Sequence, residues 1–234
     1  MTKNKENRSP LSTDSSYKTK KLAILGLITA ISYISVFLFR IPIIPSVPFL
    51  DLEFKSAVIL IGAFMFGPLS GLLMAFAVCV IEMLTISHTG IIGCIMNILP
   101  TVCFVCPAAF IYKRKRTLSR AIIGISVGSV LMTFVMVLWN YLITPIFMGV
   151  PRDAVVSLLV PAIIPFNIIK AALNGSVTLL LYKFIVTALR KANLIPREEG
   201  CGKRNKSAVI GSVIIAGMVI ITCVLVILAF NGVF

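Results

Sequence analysis

The sequence predicts an all-α integral membrane protein, and three observations carry that reading. Of 234 residues, 59% are hydrophobic and 13% are charged, with a mean hydropathy of +1.05; a soluble domain of this size cannot hide so much apolar surface. The apolar residues fall into seven long runs, some of them broken, separated by short polar or Pro/Gly-rich turns. The basic residues that give the formal net charge of +14 are sorted between those turns. Eighteen of the 22 Lys and Arg lie in three places: residues 1–21, the KRKR loop at 113–116 with Arg120, and the stretch Lys183–Lys206. If the seven segments alternate, all three lie on one side, so the N-terminus is expected in the cytoplasm and the C-terminus outside. The opposite loops hold Arg40, Lys55 and Arg152, matched by Asp51, Glu53 and Asp153. The charge is thus a topology signal. No basic groove interleaved with aromatics accompanies it, which argues against nucleic-acid binding.

The segments follow in order. Residues 1–21 are polar, Ser-rich and basic, and are expected to form a disordered cytoplasmic tail rather than a signal peptide. A first helix is expected from Leu22 to Phe39. The Pro-rich stretch RIPIIPSVPFLDLEF follows, which cannot be helical and is expected as an ordered or re-entrant loop. A short second helix spans Lys55 to Phe66 and turns at GPLSG; a third spans Leu72 to Ser87, and a fourth Ile91 to Tyr112. The fifth runs from Arg120 to Ile143 and the sixth from Ile164 to Leu189, with Pro161 and Pro165 breaking the chain at its start. These elements divide the chain into a tail (1–21), a six-helix membrane domain (22–190), a basic linker (191–206) and an extra helix with a short outer end (207–234).

The intramembrane polar residues collect at one depth. At about 1.5 Å of rise per residue, Glu82 lies near the outer end of the third segment and Asn97 about two turns below the outer end of the fourth. Asn140 and Tyr141 close the fifth, while Asn167 and Lys170 occupy the first two turns of the sixth. Independent structural polars would scatter. A single membrane Asn often does no more than bond a neighbouring helix, and Asn174, a turn further in, fits that role. A charged Lys170 must snorkel, pair with a group such as Glu82, or face water. The gathering of Asn140, Asn167 and Lys170 on adjacent helices favours a pocket reached from outside. Amides donate and accept, and Lys donates up to three hydrogen bonds, a set suited to a neutral planar molecule with a polar edge rather than to a metal or a strong anion. Pro42, Pro45, Pro48, Phe49 and Leu50 of the Pro-rich stretch read either as an apolar lid over it or as a plain connector.

Other features set bounds. Gly26 and Ala30, with Ala23 one turn earlier, make a small-residue face on the first segment, fit either for packing inside the bundle or for docking a membrane partner. Of the six cysteines, Cys103 and Cys106 form C-x-x-C, but neither a second pair nor a histidine other than the lone His88 completes a zinc set. There is no P-loop, H-E-x-x-H or G-x-S-x-G, so intramembrane catalysis is disfavoured, and no internal repeat of the kind many secondary transporters carry.

Four stretches together carry a family resemblance: DLEFKSAVILIGAFMFGPLSGLL, HTGIIGCIMN, NYLITPIF and IIPFNIIKAALN. Over residues 20–190 the chain resembles the riboflavin-specific substrate-binding (S) component of the energy-coupling-factor (ECF) vitamin transporters. The resemblance implies six helices holding one vitamin near the outer face of a bacterial cell membrane, in a high-affinity subunit that is not itself an enzyme and needs no cofactor. It implies that Asn140, Asn167 and Lys170, with Asn97, Glu82 and Tyr141 nearby, bind riboflavin, with FMN as a second candidate. It further implies that Pro45, Pro48, Phe49 and Leu50 cover the pocket, and that Ala23, Gly26 and Ala30 meet a transmembrane coupling subunit powered by two ATP-binding subunits. The seventh segment departs from the six-helix pattern, as an appended anchor or packing helix. Alternatives are an S component for a different vitamin, or a stand-alone transporter using Glu82 and Lys170 as a proton relay.

Overall fold

The computed structural model describes residues 10–43, 50–87, 89–191 and 206–230. Eight α-helices, one short strand pair and one π-helical turn make up these residues: α1 (Pro10–Leu38), β1 (Ile41–Pro42), β2 (Asp51–Leu52), α2 (Lys55–Phe66), α3 (Pro68–Thr85), α4 (Gly90–Arg114), α5 (Leu118–Met148), α6 (Arg152–Leu158), the π-turn (Leu159–Ile163), α7 (Ile164–Lys191) and α8 (Lys206–Phe230). The protein is an all-α membrane protein. Among the described residues, five helical stretches are long and apolar enough to cross a bilayer: Lys18–Leu38, Pro68–Thr85, Gly90–Arg114, Leu118–Met148 and Arg152–Tyr182. Their outer faces present Leu22, Phe37, Leu69, Ile91, Phe134 and Ile146, each more than half exposed, as lipid demands of apolar side chains.

Helix α2 is the axis of the bundle. At 12 residues it rises about 18 Å, short of the hydrocarbon thickness, yet it is apolar on every side, and such a helix must be wrapped by others. Nine of its residues are buried, Ile59, Leu60 and Ile61 completely. It ends at Gly67, whose φ of +98° is open to glycine at little cost, and Pro68 restarts the chain as the first residue of α3, where its missing N–H is not needed. One hydrophobic cluster joins α1–α5 and the start of α7 around Ile59, Phe64, Val78, Phe104 and Met132. A second joins Ile43, Leu50 and Leu52 to Val155, Ile163, Phe166, Ile169 and Leu173, with Cys223 of α8.

Two expectations are corrected, and a third is sharpened. Helix α1 begins at Pro10, so residues 10–21, read as disordered tail, continue the first helix. Proline at a first helical position carries no cost in lost hydrogen bonding. The Pro-rich stretch is closed at its neck by β1 and β2, paired antiparallel with Ile41 opposite Leu52 and Pro42 opposite Asp51; Pro45, Pro48 and Phe49 lie outside the described residues. Pro161 does not break the chain. Helix continues from Arg152 through the π-turn into α7, with Ile164 donating to Leu159 five residues back. A widened turn is a common way to accommodate prolines inside a helix, since it re-pairs the backbone that their rings and missing N–H groups disturb.

Small residues set the closest helix approaches. A β-carbon added at Gly124 would lie 2.7 Å from the carbonyl oxygen of Ala108, and one at Gly128 2.4 Å from that of Phe104, so α5 touches the backbone of α4 along this seam. At Gly26 an added β-carbon meets nothing within 4 Å, and Ala23, Gly26 and Ala30 are all exposed. The two sites therefore predict opposite results. Gly128→Ala should lower the melting temperature of the purified protein, a cost of about 1–3 kcal/mol for overpacking, while Gly26→Ala should leave it unchanged. Equal melting curves for the two variants would contradict the seam.

Candidate functional site

Charge enters the bundle where β2 leads into α2. Glu53 and Lys55 flank the first turn of that helix, and both side chains are buried, at 3% and 0% exposure. Each Glu53 carboxylate oxygen faces a different lysine: Oε1 lies 2.9 Å from Lys170 Nζ of α7 and Oε2 lies 3.0 Å from Lys55 Nζ. Lys55 continues the chain to Glu82 of α3 at 2.6 Å, and Glu82 accepts from the Asn97 amide of α4 at 3.3 Å. Lys170–Glu53–Lys55–Glu82 is thus a linear run of alternating ammonium and carboxylate groups. Two of each sign cancel, the arrangement a low-dielectric interior tolerates. Lys170 also donates to the Asp51 carbonyl at 3.3 Å and rests 5.6 Å from the centre of the Phe166 ring. Outside the run, Arg40 pairs with Asp51 at 2.6 Å, at the neck of the Pro-rich stretch.

Asn174 fixes this frame from one turn beyond Lys170. Its Nδ2 donates to the Glu53 carbonyl and to that of Lys170, both at 2.9 Å. Its Oδ1 accepts from Ala57 N at 2.9 Å, an N–H in the first turn of α2 that it shares with the Phe54 carbonyl at 3.1 Å. Phe54, at the N-cap position, offers no capping side chain; the cap comes from α7 instead. Thr178, a further turn on, donates to the carbonyls of Ala57 at 3.3 Å and Asn174 at 2.8 Å. Asn174 therefore has the structural role that its depth suggested.

The structure brings some of the sequence-selected residues together and separates others. Glu82 and Asn97 meet directly. Lys170 is neither snorkelling nor paired with Glu82; its partner is Glu53, and Lys55 takes Glu82. Asn140 and Asn167 are buried at 0% and 1% exposure, and each amide group donates to its own helix four residues back, Asn140 to Met136 at 2.7 Å and Asn167 to Ile163 at 2.8 Å. Thr144 donates to the Asn140 oxygen at 2.9 Å. The Tyr141 ring lies 5.2 Å from the Arg152 guanidinium. Leu50 is buried in the cluster with Val155, Ile163 and Phe166. Sequence reasoning missed Glu53 and Lys55 by counting them as loop charges. The available signal was their place at the start of a helix apolar on all sides, where no solvated face exists for them.

A family model described as ECF transporter, substrate-specific component, matches residues 20–182. Among curated proteins, the chain is 30% identical over 181 residues to "Riboflavin transporter RibU" of Staphylococcus aureus (strain TCH60), covering 74% of this chain and 94% of that protein. It is 26% identical over 183 residues to "Riboflavin transporter FmnP" of Bacillus subtilis (strain 168), covering 74% and 93%. Among solved structures it is similar to the S component of a bacterial ECF transporter, with a TM-score of 0.64 and 31% identity over 74% of this chain and 99% of that one.

The charge run predicts a pattern that single substitutions alone would not show. Glu82→Leu leaves Lys55 and Lys170 sharing one carboxylate, and Lys55→Met leaves two carboxylates with one lysine. Each should destabilise the protein by about 3–5 kcal/mol, the cost of stranding a buried charge. The double variant Lys55→Met/Glu82→Leu keeps Glu53 with Lys170 and should recover most of that loss in thermal melts. A double variant no more stable than the weaker single would refute a neutral buried run.

Proposed function

The chain belongs to the substrate-specific components of ECF transporters, and on that premise we propose that it captures riboflavin from the outer face of the membrane for an ATP-driven importer. The observation that carries this is the 30% identity to a riboflavin transporter across 94% of that protein's length. The site chemistry agrees with it. Asn140, Asn167 and Lys170 supply amide and ammonium groups in a buried, net-neutral setting, which suits a neutral ring system edged with carbonyls and ring nitrogens. Trp139, beside Asn140, buries an indole N–H with no hydrogen-bond partner among the described residues, a donor that a ligand acceptor would satisfy. In this reading the Pro-rich stretch covers the ligand, with Leu50 anchoring its second end in the cluster on α7.

The chain itself carries no ATPase motif, so hydrolysis belongs to partner chains. A transmembrane coupling subunit and two ATP-binding subunits are the partners proposed, and the exposed Ala23, Gly26 and Ala30 of α1 form the face on which the coupling subunit packs, since small residues let membrane helices approach closely. The end of the bundle bearing Lys21, which lies 5.9 Å from the Phe66 ring, and Lys113, whose chain lies beside Gly67, is the cytoplasmic end in this orientation.

Two predictions follow from these assignments. Purified protein should quench riboflavin fluorescence on titration, with FMN and a panel of other vitamins as competitors. Lys170→Ala and Asn140→Ala should each weaken binding roughly ten- to a hundredfold, the worth of one or two buried hydrogen bonds; full affinity in both would remove these residues from the site. Gly26→Leu should bind riboflavin like the unaltered chain but lose uptake in cells that supply the partner subunits. Normal uptake by that variant would move the docking surface elsewhere.

A further inference from the structure

We propose that Glu53 is a positioning residue of the ligand site, holding the Lys170 ammonium in place while Lys55 and Glu82 hold Glu53. The inference rests on the riboflavin reading above and extends it to a residue outside the direct contacts proposed there. Glu53 is 3% exposed and follows β2 directly, before α2 begins. Its carboxylate is clamped from both sides, with Lys170 on Oε1 at 2.9 Å and Lys55 on Oε2 at 3.0 Å. Its carbonyl is fixed as well, by Asn174 at 2.9 Å. A carboxylate clamped by two ammonium groups, on a residue whose carbonyl is also held, is a rigid acceptor, and it fixes the end of an otherwise flexible four-carbon side chain. The entropy of orienting Lys170 is then lost on folding rather than on binding, the benefit of a pre-organised site.

The ammonium group has three protons. Glu53 and the Asp51 carbonyl take two of its directions, leaving a third for a ligand acceptor. Both of these partners lie at the end of the Pro-rich stretch, just before α2, so the same lysine ties that segment to α7. The second ion pair has a distinct part. When Lys170 turns toward a ligand, Glu53 keeps Lys55 as counter-ion, and Lys55 keeps Glu82 at 2.6 Å. No carboxylate is left alone in the interior.

A double-mutant cycle in the full-length protein separates this role from a merely structural one. Riboflavin affinity is measured for the unaltered chain, Glu53→Gln, Lys170→Met and the double variant, with melting temperatures recorded without ligand. Glu53→Gln keeps the shape but loses the charge, and should weaken binding at least tenfold. In the Lys170→Met background the same substitution should cost less than twofold, because the lysine it positions is gone. Glu53→Asp, which draws the carboxylate back by one methylene, serves as a second entry to the cycle should Glu53→Gln not fold, and its smaller loss should likewise vanish with Lys170→Met. Wild-type affinity in both Glu53 variants, or losses that multiply in the double variants, would overturn the positioning role while leaving the riboflavin reading intact. Absence of riboflavin binding by the unaltered chain would overturn that reading and this inference together.

Discussion

One carboxylate shared between two lysines organises this end of the helix bundle. Glu53 touches Lys170 of α7 and Lys55 of α2, and through Lys55 it reaches Glu82 of α3 and Asn97 of α4. Four helices and the neck of the Pro-rich stretch thereby converge on a single chain of charges. In water such pairs contribute little; in a membrane interior each unmatched member would cost several kcal/mol. The run therefore acts less as glue than as a constraint. Helix α2 has to start where both lysines can be neutralised, which fixes its depth, and α7 has to present Lys170 and Asn174 on one face, as their i, i+4 spacing does.

Much of this was legible in the sequence because the bilayer imposes simple rules. Long apolar runs mark the helices, the spacing places α2 at Lys55–Phe66, and counting residues from helix ends brings Asn97, Glu82, Asn167 and Lys170 to one region. What was not legible depended on pairing across the fold. Glu53 and Lys55 looked like balanced loop charges, since their side chains become interior ones only once α2 is seen to be surrounded. The sequence leaves Lys170 a choice of partners, and the one it takes lies 117 positions away along the chain. The prolines at 161 and 165 signalled a break, whereas the chain widens into a π-turn and continues, because a helix in a membrane has nowhere else to satisfy its backbone.

The small residues show the same limit from another side. Gly124 and Gly128 lie against the α4 backbone, while Ala23, Gly26 and Ala30 at similar spacing face outward on α1. Spacing announces that a face can be approached closely; contact decides whether the approach is already used. The opposite face of α1 is engaged. Ser32 donates to the Lys55 carbonyl at 3.2 Å, so the helix that offers the open small-residue face is also joined to the first residue of α2. Helix α8 lies beyond the segment matched by the family model, which ends at 182. It packs on α7 through Ala216 and Cys223 and adds Val219, Ile220 and Ile227 to the cluster that holds Leu50 and Leu52. The appended helix thus extends the apolar wall behind the candidate site rather than standing apart from it.

The paired arrangement of charges also explains why two ion pairs are present where one lysine is needed. A lone Lys170–Glu53 pair would be neutral, but any ligand drawing the ammonium away would strand a carboxylate in a medium that penalises it heavily. With Lys55 on its other oxygen, Glu53 stays compensated whichever way Lys170 turns, and with Glu82 behind it Lys55 is compensated in turn. Redistributing hydrogen bonds along such a run costs far less than removing a member, because all four charges stay in place and the run remains neutral. The second pair contributes little as an additional bond between helices. Its consequence is that Lys170 can offer its third proton to a neutral ligand while Glu53 stays compensated on both oxygens.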